Sequence, residues 1–149
     1  MDILEHLKEE HRKVEKMIAD LESSQTFEQR EPILAELSDS LAKHMAVEEE
    51  HIYPIVDDRL GANKAREAQK EHDTAREDVA QLVEQADSDG FAAALAQFKA
   101  DISHHVSEEE NEMFPQLREE AADDIAALGD AEQLEDEVEE DLAEEGITA

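Results

Sequence analysis

The stretch LAKHMAVEEEHIYP at residues 41–54 recurs, with the same pattern, as ISHHVSEEENEMFP at residues 102–115. In each copy a histidine is followed four residues later by a glutamate, and an aromatic–proline pair begins five residues after that glutamate. A spacing of four places the histidine and the glutamate on one face of a helix. The matched positions, each 61 residues apart, are His44 and His105, Glu48 and Glu109, and Pro54 and Pro115.

The repeat extends beyond these two stretches. His11 and His72 are also 61 residues apart, as are Glu10 and Glu71. We therefore interpret the chain as two copies of a helical hairpin, residues 1–61 and 62–122, followed by an acidic segment at 123–149. Two copies of one hairpin can pack about a pseudo-two-fold axis, like a symmetric dimer fused into one chain.

Composition and periodicity both favour helices. The 149 residues suit one domain, and they include only 4 glycines and 3 prolines among many helix-forming residues. Apolar residues recur at helical spacing in four segments, which we predict to begin near Asp2, Pro32, Lys64 and Phe91. Four such helices with short connections predict an all-α, up-down four-helix bundle over residues 1–122.

The acidic segment that follows has two interpretations. Its apolar residues are sparse, but they could let a short fifth helix dock on the bundle. The alternative is a solvated tail. The residues that would dock are Ile125, Leu128, Leu134 and Val138.

The helices carry polar residues in stripes that are otherwise apolar. A buried and unpaired carboxylate or imidazole costs several kcal/mol. One histidine on an apolar face is usually a hydrogen-bonded core residue, and one His-x-x-x-Glu pair is a weak signal. Six such residues related by a single offset instead predict a metal site. The six candidate ligands are His11, His44, Glu48, His72, His105 and Glu109.

The ligand types constrain the metal. Imidazole and carboxylate without sulfur suit iron, manganese or zinc. Six ligands are too many for one open site and suit two ions, each held by two histidines of one hairpin and bridged by Glu48 and Glu109. A ferritin-like centre would need repeated Glu-x-x-His motifs. Glu48 and His51 have that spacing, but the second copy reads Glu109 and Glu112, which disfavours this alternative.

Four motifs make the chain resemble the hemerythrin-like, or HHE cation-binding, family over about residues 3–120. They are EEHRKV around His11, KHMAVEEEHIYP around His44 and Glu48, KEHDTA around His72, and HHVSEEENEMFP around His105 and Glu109. The resemblance implies a four-helix bundle with a non-heme di-iron centre. It also implies that the same six residues are the ligands, and that two carboxylates and an oxo or hydroxo group bridge the two iron ions.

The sequence departs from the oxygen-carrying members of that family. They have a second histidine one turn after the third-helix histidine, where this chain has Arg76. Their last bridging acid lies five residues after its histidine, whereas Glu109 lies four residues after His105. The chain is more similar to the symmetric four-histidine, two-carboxylate members that repair iron centres. Arg76 and its offset mate Glu15 could pair over the site, Glu15 could be a further ligand, or both could be solvated.

Several residues could support the site. Glu10, Glu71 and Asp101 are candidate partners for the ring N–H groups of the ligand histidines. Pro54 and Pro115 should kink or end their helices. Those kinks would aim the aromatic residues Tyr53 and Phe114 over one end of the bundle. Tyr53 could there donate a hydrogen bond to a small ligand, which Phe114 cannot do.

These features predict a di-iron protein that binds or senses oxygen, nitric oxide, peroxide or iron. One alternative is an enzyme that reduces peroxide or nitric oxide, or donates iron to damaged centres. Another is a bundle that uses metal for stability alone. Beyond the ligands there is no general acid or base pattern, phosphate-binding loop or dinucleotide fingerprint. The sequence assigns no oligomeric state.

The overall composition excludes several other classes. The formal net charge of −30 disfavours nucleic acid and anionic membranes as partners. The absence of cysteine excludes thiolate chemistry and disulfides. No apolar run approaches the ~20 residues of a membrane span, and the acidic N-terminus predicts no signal peptide. A cytoplasmic protein is expected, and the acidic excess fits a high-salt, halophilic cytoplasm in which charge is screened.

Overall fold

The computed structural model describes residues 1–145, which form helices and no strand. Two π-helical turns, Glu48–Ile52 and Glu109–Met113, interrupt the α-helices directly after Val47 and Glu108. The all-α prediction is therefore confirmed as a helical bundle. The helices are α1 (Ile3–Ser23), α2 (Phe27–Val47), α3 (Tyr53–Arg59), α4 (Ala62–Glu84), α5 (Phe91–Glu108), α6 (Phe114–Glu120), α7 (Ala122–Ala127) and α8 (Ala131–Glu144).

The four long helices contact one another in a ring. Helix α1 packs against α2 and α5, and α4 packs against α5 and α2. Within residues 1–145, none of the helices combines the length and the apolar character that a membrane crossing requires.

Side chains of the preceding loops fix where α1 and α2 begin. The Asp2 carboxylate accepts hydrogen bonds from the N–H groups of Leu4 and Glu5, at 2.9 and 3.2 Å. Thr26 caps α2 by accepting from the Gln29 N–H at 3.2 Å. Helix α2 thus begins at Phe27, and the prediction of a start near Pro32 is wrong. The Thr26 cap outweighs the one backbone hydrogen bond that Pro32 removes inside the helix.

A layer of polar residues divides the apolar core into two clusters. On α1, Leu7 belongs to one cluster and Val14 to the other, with His11 between them. The cluster near the chain start, which we call the lower cluster, also includes Ile3, Leu117 and the buried residues of α8. The upper cluster includes Leu37 and Phe98. Each polar candidate residue therefore sits at the boundary between two apolar blocks.

The acidic segment contributes helices α7 and α8. Leu134 and Val138 of α8 are buried in the lower cluster, together with Ile125 of α7. Leu128 is half-buried against the same cluster. The last residues of this segment, 146–149, lie outside the described residues.

The two π-helical turns coincide with the repeated His–Glu stretches. The Tyr53 N–H donates to the Glu48 carbonyl, and the Phe114 N–H donates to the Glu109 carbonyl, five residues back in each case. The α-helical pattern is interrupted immediately before each proline, as predicted. Each turn adds one residue to the helix and shifts its core face. Val56 is consequently fully buried, while its neighbour Ile55 is only half-buried.

Candidate metal centre

The structure brings all six predicted ligand residues together in the polar layer. Each of these residues is at most 5% exposed. Helices α1 and α4 supply one histidine each, and α2 and α5 supply one histidine each at their C-terminal turns. The two glutamates are the first residues of the two π-helical turns. The π-helical turns thus begin where the carboxylates enter the core.

His11 and His44 form what we call the first half-site together with both glutamates. His44 Nε2 lies 3.2 Å from Glu48 Oε1, and His11 Nε2 lies 3.2 Å from Glu109 Oε1. One ligand atom from each of the four residues lies within 4.8 Å of the other three. This compactness suits a single metal ion.

His72 and His105 form the second half-site with the same two glutamates. His72 Nε2 lies 2.9 Å from Glu48 Oε1, and His105 Nε2 lies 3.2 Å from Glu109 Oε2. These four residues again offer ligand atoms within 4.8 Å of one another. Because Glu48 and Glu109 belong to both half-sites, the centre has the donor set of two neighbouring ions with shared carboxylates.

Some buried polar atoms of the centre lack a hydrogen bond of good geometry. His11 Nε2, Glu48 Oε2 and Glu109 Oε1 are buried and have no hydrogen-bond partner. Buried polar atoms normally have partners, so three orphans in one cluster require an explanation. A cation placed among them would provide one. The residues present therefore fit a metal site.

Each ligand histidine is held at its other ring nitrogen by a carboxylate. His44 Nδ1 lies 3.0 Å from Glu10, and His105 Nδ1 lies 2.6 Å from Glu71. The Nδ1 atoms of His11 and His72 lie 2.6 and 2.7 Å from Glu110 and Glu49. An Nδ1–H that donates to a carboxylate leaves Nε2 free to bind a metal and fixes the ring orientation.

Only two of these four carboxylates were predicted from the sequence as histidine partners. Glu10 and Glu71 were predicted, and each holds a histidine of its own hairpin. Glu49 and Glu110 were missed, although each follows a central glutamate and the two are 61 residues apart. They hold histidines of the opposite hairpin. Asp101 is not a histidine partner, because its side chain lies beside Gln97 and Asp78 instead.

Two arginines hold the missed carboxylates. Arg76 Nη2 lies 2.8 Å from Glu49, and Arg12 pairs with Glu110. The suggested pair between Glu15 and Arg76 is not formed, since Glu15 lies 3.5 Å from Arg12. Each arginine is thus linked through a carboxylate to one ligand histidine.

Protons stabilise the centre when no metal is bound. Burial lowers the pKa of His44, but the charge of Glu48 and the hydrogen bond with Glu10 outweigh burial and raise this pKa to about 10. The pKa values of His72 and His105 are raised in the same way. Burial raises the pKa of Glu48, but His44 and His105 hold it well below its usual range. A metal ion that bound here would therefore have to displace protons from these three imidazoles.

The two half-sites have different aromatic neighbours. The Tyr53 hydroxyl lies 2.8 Å from His72 Nε2 and donates a hydrogen bond of 2.9 Å to Glu109 Oε2. Burial and the charge of Glu109 raise the pKa of Tyr53 well above its usual value, so this hydroxyl keeps its proton. Phe114, the offset mate of Tyr53, stacks on His11 with 6.2 Å between ring centroids. Only the second half-site has a hydroxyl at this position.

The half-sites also differ in the charge of the cavities beside them. A cavity of about 230 Å³ reaches His105 and Glu109 of the second half-site. Four further carboxylates line it: Glu67, Glu71, Glu108 and Glu112. On the first hairpin, α8 packs against α2. A second cavity, of about 220 Å³, reaches His11 of the first half-site and is lined by fewer carboxylates, Glu15 and Glu110. The cavity beside the second half-site is therefore the more acidic of the two.

A comparison with known families agrees with this geometry. The model of the hemerythrin HHE cation binding domain matches residues 2–117. The chain therefore belongs to the hemerythrin HHE cation-binding domain family. No protein with a curated description matches the chain, and no solved structure matches it.

Proposed function

We propose that this member of the hemerythrin HHE family holds two iron ions, one in each half-site, and binds or senses a small ligand there. The observation that carries the proposal is the sharing of Glu48 and Glu109 by two compact sets of histidines. The family membership supports a cation site, and the nitrogen–oxygen donor set suits iron. The proposed cofactor includes an oxo or hydroxo bridge between the ions.

Two adjacent iron ions would supply redox chemistry and open positions for oxygen, nitric oxide or peroxide. The protein's own contribution is to hold the four imidazoles in one orientation and to exclude water. The Nδ1 carboxylates provide the orientation, and the upper and lower apolar clusters provide the exclusion. Tyr53 would hold a proton at its hydroxyl next to the second half-site.

Ligand binding or sensing is favoured over turnover. Among the described residues that contact the candidate ligands, Tyr53 is the proton donor that is neither a histidine nor a carboxyl group, and burial raises its pKa rather than leaving it near neutrality. Efficient general acid catalysis needs a pKa close to the working pH. The alternative of iron donation has one observation in its favour, which is the acidic cavity beside His105.

We further propose that the bundle consists of two hairpins, residues 1–61 and 62–122, related by a pseudo-two-fold axis. The 61-residue offset supports this proposal. It relates His11 to His72, His44 to His105, and the first π-helical turn to the second. The net charge of −30 supports three related proposals: a high-salt cytoplasmic location, no binding to nucleic acid and no binding to membranes.

The test is metal content combined with ligand titration. Protein purified after iron-replete expression should hold about two irons per chain and show oxo-bridge absorption in the near ultraviolet. Stoichiometric binding of oxygen or nitric oxide without turnover would support sensing. Catalytic consumption of peroxide or nitric oxide would support the enzyme, and iron transfer to an acceptor would support donation. An iron-free protein would overturn the di-iron proposal.

A further inference from the structure

A second group of metal-ligand side chains lies at the edge of the bundle, between α1 and α8. His6 and Glu10 are one turn apart on α1, and Glu135 projects from α8. His6 Nε2 lies 2.9 Å from Glu135 Oε1 and 3.5 Å from Glu10 Oε2. One ligand atom from each of the three residues lies within 4.8 Å of the other two. This group, which we call the edge cluster, shares no residue with the six central ligands.

The edge cluster is incompletely satisfied. His6 Nε2 is buried and makes no hydrogen bond of good geometry, although two carboxylate oxygens are close to it. The three side chains are only 14–18% exposed, and they line a cavity of about 140 Å³. Lys13 and Lys43 line the same cavity, but neither forms an ion pair with these carboxylates. An imidazole nitrogen facing two carboxylates at this spacing fits a cation placed between the three ligand atoms.

The charge of α8 gives a reason for a cation here. Ala131–Glu144 contains eight acidic residues and no basic one, and it packs on a body that is itself strongly acidic. Burial of Leu134, Val138 and Leu142 holds the helix in place. A divalent ion between Glu135 and Glu10 would convert a repulsion between α8 and α1 into a link.

We propose that His6, Glu10 and Glu135 form a separate site for a divalent transition-metal ion, which fastens α8 to α1. One imidazole and two carboxylates suit zinc, manganese or ferrous iron. Glu10 uses its other oxygen, Oε1, to hold His44. The edge site is therefore connected through a single carboxylate to a ligand of the first half-site, but it does not depend on the central ions.

The second hairpin contains a natural control. Glu71 holds His105 with one oxygen and lies 3.5 Å from His104 with the other, and Glu108 lies 3.0 Å from His104. The arrangement resembles the edge cluster, but no residue of α8 takes part. His104 is 66% exposed, so water competes for every ligand. We expect this exposed group to bind no ion tightly.

The experiment measures zinc bound at the edge in a background that lacks the two shared central carboxylates, Glu48 and Glu109. In a Glu48→Ala, Glu109→Ala background, equilibrium dialysis against zinc should find about one tight ion per chain. His6→Gln and Glu135→Gln should each weaken this binding at least ~10-fold, because each removes one of three ligands. His104→Gln should leave it unchanged. Helicity measured by circular dichroism identifies any variant that fails to fold.

A second measurement links the ion to α8 and uses the chain with its natural central residues, loaded with iron. Zinc should raise the thermal unfolding midpoint of this protein but not that of Glu135→Gln, with iron content equal in both. Absence of tight zinc in the Glu48→Ala, Glu109→Ala background would overturn the edge site. Equal zinc binding by the His6 and His104 variants would also overturn it. A failure to bind central iron, in contrast, would affect only the di-iron proposal.

Discussion

The first and second half-sites have the same chemistry and different surroundings. Each has two histidines, two shared glutamates and two outer carboxylates that hold Nδ1 atoms. The first half-site, however, has Phe114 stacked on His11 and lies in the hairpin against which α8 packs. The second has the Tyr53 hydroxyl among its ligands and an acidic cavity beside it.

This difference shows which properties a repeat can duplicate. Ligand atoms and their partners come from equivalent helix positions, so both hairpins supply them. Helix α8, in contrast, lies outside the 61-residue repeat and packs against α2. We therefore expect two ions of the same kind but of unequal affinity. The following predictions test this comparison, beginning with the largest effect.

Removal of a shared carboxylate should abolish both half-sites at once. Glu48→Ala should reduce iron from about two ions per chain to nearly none, because it removes a ligand from each ion. His44→Ala removes a ligand from the first half-site only and should leave about one ion. Elemental analysis after iron-replete expression provides the measurement. The exposed Glu50→Ala is the matched control, and equal iron contents for Glu48→Ala and His44→Ala would contradict a shared ligand.

Loss of an outer carboxylate should weaken one half-site selectively. Glu110→Gln should lower affinity at the first half-site, and Glu49→Gln at the second, each by about 10–100-fold. The reason is that each glutamate holds a histidine of the opposite hairpin. Stepwise competition with a chelator measures the two affinities, with Glu50→Gln as control. If both variants weakened the same binding step, the assignment of the partners would be wrong.

Exchange of the aromatic residues should make the half-sites more alike. Tyr53→Phe removes the hydrogen bond to the charged Glu109. We expect it to lower the unfolding free energy of the metal-free protein by about 1.5–3 kcal/mol. Urea denaturation measures this loss. Phe114→Tyr, which adds a hydroxyl beside His11, is the reciprocal variant. Unchanged stability in Tyr53→Phe would mean that this hydroxyl is not a significant partner of Glu109.

The metal-free protein should lose stability as the pH rises above neutrality. The folded-state pKa of His44 is raised to about 10, above the ordinary ~6.5 of an unfolded chain. Its contribution is therefore fully present below about pH 6.5 and is lost as the pH rises towards 10. We expect a decrease of at least ~1 kcal/mol, measured by urea denaturation across this range. His44→Gln should flatten the curve and the exposed His104→Gln should not.

At acidic pH the stability of the metal-free protein should change in the opposite direction and fall as the pH falls. Burial raises the pKa of Glu10, but its hydrogen bonds with His44 and Glu135 lower it to about 2. Its contribution is present above about pH 4.5 and is lost as the pH falls towards 2. The metal-free protein should therefore be most stable between these two ranges, near pH 4.5–6.5. A stability maximum at alkaline pH would contradict the assignment to His44, and full stability retained down to about pH 2 would contradict the assignment to Glu10.

Particular residues show how far sequence reasoning reaches. The helical stripes placed all six candidate ligands correctly in the core, because helical periodicity determines which side chains share a face. Hydrophobic spacing gave no sign of the π-helical turn that buries Val56 and leaves Ile55 only half-buried. The prediction failed at Pro32, where a capping threonine six residues earlier decided the helix start. It also missed Glu49, which acts across the hairpins rather than along its own helix.

The sequence by itself therefore determined an all-helical chain, a duplicated His–Glu pattern and six polar residues in the core, because these properties follow from local periodicity and from a repeat visible in the residue order. Only the tertiary structure decided which carboxylate holds which histidine, that Tyr53 reaches the second half-site, and that α8 packs against the first hairpin. Those outcomes depend on contacts between residues far apart in the chain. Such contacts are set by how helices pack against one another, and no local pattern encodes them.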